Sequence, residues 1–80
     1  MTLFLLHSRH HETECRATYA AWRGFESPLG QSAPWASCLS GGHEVWWEAD
    51  AEDETAALRQ LPPYVAERSH AIRVTKARLP

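Results

Sequence analysis

Eighty residues carrying a net charge of −2 form one domain, 1–80, with a small core. A chain of this mass buries only about 60% of the surface its unfolded form exposes. Its charges are scattered without a basic run, which argues against nucleic acid or an anionic membrane surface as partner, and no stretch is long enough to span a bilayer. Two cysteines, Cys15 and Cys38, with no CxxC, make neither a disulfide framework nor a zinc ribbon.

Thr2 to Ser8 is apolar on both faces, with Leu3, Leu5 and His7 on one and Phe4, Leu6 and Ser8 on the other, the pattern of a strand central in its sheet. The segment lacks the basic start, the length and the cleavage site of a secretion signal, and reads as the first strand of a cytoplasmic protein. A helix is expected over Thr13–Arg23. Thr13 suits its cap, Glu12 and Glu14 suit its N-terminal dipole, and Gly24 ends it. Cys15, Thr18, Tyr19 and Trp22 fall on one stripe of that helix, which makes Cys15 a core thiol. Phe25–Ala33 contains Pro28, Gly30 and two serines and reads as a loop of the length that binding elements use.

Pro34 to Asp50 reads as a hairpin closed by Gly41-Gly42. That turn pairs Leu39 with Glu44, Cys38 with Val45, Ser37 with Trp46 and Trp35 with Glu48. Alternation then puts Ala36, Cys38, Val45, Trp47 and Ala49 on a core face, and Trp35, Leu39, Glu44, Trp46 and Glu48 on the other. A second helix, capped by Asp50 or Asp53, carries Ala57, Leu58 and Leu61 inward and stops at Pro62-Pro63. Tyr64 and Val65 return to the core. His70–Leu79 is the last strand, with Ile72 and Val74 inward and Arg73 facing the other way.

The order β-α-β-β-α-β is that of the ferredoxin-like plait, an α+β fold with a four-stranded antiparallel sheet in the order 4-1-3-2 and both helices on one face. The bare face, with Trp35, Leu39 and Trp46, calls for a covering partner, and back-to-back pairing of two sheets makes the protein a homodimer.

Trp22 to Leu29, Ser37 to Trp47 and Leu61 to Ala66, in this element order, resemble small proteins of the dimeric α+β barrel superfamily. That superfamily includes monooxygenases, muconolactone isomerase-like enzymes and nickel-binding or ligand-sensing modules. The resemblance implies the fold and the dimer, and no reaction.

Three readings of function follow. In the first, a small ligand binds between the sheet and the 25–33 loop, lined by His7, Trp35, Trp46, Glu48 and Arg73. In the second, a cofactorless isomerase or monooxygenase uses Glu48 or His7 as base in the same place, since a carboxylate walled by indole has its charged form disfavoured. In the third, His10, His11 and His43 hold a divalent transition metal; outside that reading no cofactor is expected. His10 and His11 are adjacent and point apart in an extended segment, so this site needs a bend or another ligand. Cys38 with His43 has the composition of a thiolate–imidazole pair, but the expected register leaves Cys38 in the core and His43 at the hairpin tip.

Overall fold

The computed structural model describes residues 1–80. Its strands are β1 (Thr2–Arg9), β2 (Trp35–Ala36), β3 (Glu44–Ala51) and β4 (Ser69–Arg73), and its helices are α1 (Cys15–Ala20), α2 (Glu54–Leu58) and α3 (Pro63–Ala66). All strand pairs are antiparallel in the order β2-β3-β1-β4, which is the expected 4-1-3-2 read from the other edge.

The fold is α+β, but it is not the β-α-β-β-α-β plait. The plait needs two helices able to cover the sheet. At six residues α1 is about 9 Å long, against about 26 Å for the eight-residue β1. His11, not Thr13, caps the segment: its Nδ1 accepts from the Thr13 N–H at 3.2 Å, and Glu14 closes a capping box by accepting from the His11 N–H at 2.9 Å. The first turn, Glu12–Glu14, is consequently a tight 3-10 turn, and three-residue hydrogen bonds return after Ala20. The second helix loses its start because β3 runs on through Asp50 and Ala51, which pair with Leu3 and Thr2. Asp53 caps what remains, accepting from the Ala56 N–H at 2.8 Å. Residues 59–62 separate α2 from the short α3, which is preceded by Pro62 and opens on Pro63.

The core lies between the sheet and these short helices. Phe4 and Leu6 of β1 and Val45, Trp47, Ala49 and Ala51 of β3 meet Leu29, Ala57, Leu61 and Val65. Only 14 of the 80 residues are buried, so hydrophobic packing alone leaves a narrow margin of stability.

The hairpin does not turn at Gly41-Gly42. Trp35 pairs with Trp46 and Ala36 with Val45, so Cys38 is not a neighbour of Val45. Ser37 closes the ladder: its N–H donates to the Glu44 carbonyl at 2.9 Å, and its Oγ accepts from the Glu44 N–H at 3.1 Å. A six-residue loop, 38–43, follows, with a 3-10 turn at Cys38–Ser40 and positive φ at Gly41 (84°) and His43 (53°). The register differs from expectation by two residues, an even shift that keeps each side chain on its face. Trp47 is therefore the buried indole, as expected, while Cys38 leaves the sheet. In β4 the facing is reversed. Ala71 lies opposite Leu6 and Arg73 opposite Phe4 on the helix side, whereas Ile72 lies opposite Leu5 on the open face and is 43% exposed.

Candidate metal centre

Three segments converge at one end of the sheet. Phe4, Leu6 and Ser8 alternate toward the core along β1, and His10 continues that alternation just beyond the strand, at 6% exposure. Its N–H donates to the His43 carbonyl at 3.1 Å, which sets the end of β1 beside the start of β3. The two imidazoles meet edge to face with centroids 5.6 Å apart.

Cys15 enters from the N-terminus of α1, with its Sγ 3.2 Å from His10 Nε2 and 3.1 Å from His43 Nδ1. Cys38 enters from the hairpin loop, with its Sγ 3.5 Å from His10 Nε2. The ligating atoms of His10, Cys15, Cys38 and His43 all lie within 4.8 Å of one another. In a tetrahedral Zn²⁺ site with Zn–S near 2.3 Å and Zn–N near 2.0–2.1 Å, neighbouring donor atoms are about 3.3–3.8 Å apart. The cluster is close to that spacing.

Both loop glycines serve this placement. Gly41 supplies the left-handed residue that ends the 3-10 turn. A Cβ on Gly42 would lie 2.3 Å from Ser37 Oγ, so only glycine lets the chain double back past Ser37.

A polar network fixes the approach of α1. The Glu14 carboxylate accepts from Tyr64 Oη at 3.0 Å and from Arg68 Nε at 3.1 Å, and Arg68 Nη2 lies 2.9 Å away. The Arg68 guanidinium stacks 3.7 Å over the Tyr64 ring. Cys15 is thereby tied through its neighbour to α3 and the start of β4. The His11 N–H, then Tyr64 and Arg68, hold the Glu14 carboxyl down at about 2.

The electrostatics suit a neutral His10 imidazole and, without a cation, a protonated Cys15 thiol. Burial, reinforced by His43, lowers the pKa of His10 and keeps its nitrogen lone pair available. Burial, then the neighbouring Cys38, raises the Cys15 thiol, so a cation is what would make a pair of thiolates favourable here. The other His10 nitrogen, Nδ1, is buried without a partner.

Of the three histidines singled out from the sequence, His10 and His43 come together and His11 does not, because its ring is used in the cap of the 3-10 turn. Cys15 and Cys38, read there as core thiols, complete the cluster and are half-buried. A signal for them was present as a mirrored spacing, His10-x4-Cys15 and Cys38-x4-His43.

The other candidate residues are divided between the two sides of the sheet. On the open face His7 stacks on Trp46 with centroids 5.4 Å apart and donates from Nε2 to Glu44 at 2.7 Å. Trp35 is 80% exposed across from Trp46, and Glu48 lies opposite Leu5. Arg73 and the 25–33 loop are on the helix side, where Leu29 of that loop enters the core. No single pocket holds the five.

No helix is long and apolar enough to cross a membrane. Comparison with known proteins gives no match: no family model fits the chain, and no curated protein or solved structure is similar to it.

Proposed function

We propose that the chain is a small metal-binding module in which His10, Cys15, Cys38 and His43 hold one Zn²⁺ ion as a structural clamp. The observation that carries this reading is the convergence of four soft and borderline donors within 4.8 Å from three separate segments. Two thiolates with two imidazoles favour tetrahedral zinc over nickel or copper, which prefer tetragonal nitrogen and oxygen sets in their divalent states. The charges also balance, since two thiolates neutralise the ion and both imidazoles remain neutral. Four protein donors leave no open position for substrate, which favours a structural over a catalytic site. The ion would join the end of β1, the start of α1 and the hairpin loop.

The test is metal analysis of untagged protein, followed by Co²⁺ substitution. One zinc per chain is expected, with the thiolate-to-metal absorption of a tetrahedral S2N2 cobalt site. Cys15→Ser and Cys38→Ser should lose that absorption, while His11→Ala should keep it. A chain that takes up no zinc or cobalt, or that loses the metal on His11→Ala alone, overturns the assignment.

A further inference from the structure

On the helix side of the sheet, next to the metal cluster but separate from it, α1 and the 25–34 segment enclose a cavity of about 530 Å³. Small-molecule sites occupy about 300–1,000 Å³. Its floor is Trp47, one wall is Tyr19 of α1 with Trp22 in the turn that ends it, and Phe25 stands just beyond. The rings form one connected set: Trp22 meets Trp47 at 5.9 Å with a tilt of 39°, and Phe25 meets Trp22 edge-on at 6.1 Å.

The charge distribution sets the class of ligand. Glu26 is the only charged side chain among the lining residues, which include no lysine, arginine or histidine. An anion would meet a carboxylate and electron-rich aromatic rings with no cation to receive it. A cation would find the reverse, with electron-rich aromatic rings on several sides and a carboxylate among them. Glu26 is exposed and unpaired, which leaves it free for a ligand. Thr18, on the same wall, is 4% exposed, and its hydroxyl has no hydrogen-bond partner.

We infer that this cavity is a binding site for a small organic cation of the methylated-ammonium class, held by the Tyr19, Trp22, Phe25 and Trp47 rings and by the Glu26 carboxylate. The site does not depend on the metal reading, because none of its residues is in the His–Cys cluster.

The four tryptophans supply the assay. The full chain as purified, labelled with ¹⁵N, gives one indole N–H signal per tryptophan. Choline is titrated in, with 3,3-dimethyl-1-butanol as its uncharged isostere. Choline should move the Trp22 and Trp47 signals and leave Trp35 and Trp46, on the opposite face, in place. Glu26→Gln, at an exposed position, should weaken choline by about three- to fivefold, and Phe25→Leu should weaken it while preserving apolar volume. The inference is overturned if the isostere moves Trp22 and Trp47 as strongly as choline, if Glu26→Gln leaves the midpoint unchanged, or if choline moves neither indole at tens of millimolar. Loss of zinc uptake with choline binding intact would overturn the metal reading alone.

Discussion

Removing the metal should cost this protein about half of its stability, and the magnitude can be worked from the structure. Ten hydrophobic residues make up the core, and a core of that order in so short a chain supplies rarely more than about 3–5 kcal/mol net. Free zinc at a thousand times its dissociation constant adds about 4 kcal/mol by mass action. The two contributions are of the same size. In a domain of 60–100 residues each kcal/mol moves the melting temperature by about 4–8 °C, so the zinc-loaded and chelated proteins should differ by about 15–30 °C. Far-UV circular dichroism against temperature, with and without EDTA, reads the shift, and the summed tryptophan emission, to which the buried Trp47 contributes, gives a second probe. Excess zinc should restore the curve, and Cys38→Ser should melt where the chelated wild type does. If chelation moves the transition by less than about 3 °C, or if Cys38→Ser retains a zinc-dependent shift, the clamp is not what holds the three segments together.

Gly42→Ala should destabilise the fold by about 1–3 kcal/mol, the usual cost of overpacking, and should weaken Co²⁺ uptake, because the added Cβ drives Ser37 away and with it the loop that carries Cys38; unchanged uptake would refute the role given to that loop. The Glu14 carboxyl, held at about 2 in the folded chain, contributes stability that is fully present above its unfolded value near 4.5 and is lost as pH falls from there toward 2. The stability gap between wild type and Glu14→Gln, measured by urea titration, should therefore close over that range, and a gap constant from pH 6 to pH 3 would contradict the network. Pairing of two copies through the open face, the expectation drawn from Trp35, Leu39 and Trp46, is checked by sedimentation: wild type should run as a dimer at micromolar concentration and Trp46→Asp as a monomer, and a monomeric wild type refutes it.

The sheet was legible in the sequence because its signal is local and redundant. Both faces of β1 are apolar, and that placed it centrally. The alternation Val45, Trp47, Ala49 identified the buried face of β3 even though the turn was misplaced, because a two-residue shift preserves facing. The helices were less legible. Glu12, Glu14 and the three alanines of 17–21 favour helix by propensity, yet the capping box at His11 tightens the first turn, and only six residues settle into α-helix. At the second helix, Asp50 satisfied the rule for a cap while its backbone was already committed to pairing with Leu3.

Two histidines of the metal cluster, His10 and His43, were legible as ligands, and its two cysteines were not, for a different reason. Each cysteine, taken in its own segment, has a sufficient apolar explanation. Cys15 falls on the inward stripe of α1, and Cys38 falls on the inward parity of an extended strand. What changes their meaning is the position of the chain reversal. A turn at Gly41-Gly42 would carry β2 to its tip and fix Cys38 above Val45, out of reach of His10. A turn that opens at Ser37, with a glycine at 42 where a Cβ would strike the Ser37 hydroxyl, lifts Cys38 out of the ladder and over the end of β1. The same loop sets His43 at positive φ, with its carbonyl on the His10 N–H and its ring on the Cys15 thiol. Local rules place Gly-Gly at the tip of a two-residue hairpin. The side-chain hydroxyl of Ser37 decides otherwise, and the mirrored spacing from His10 to Cys15 and from Cys38 to His43 then brings the four donors to one point.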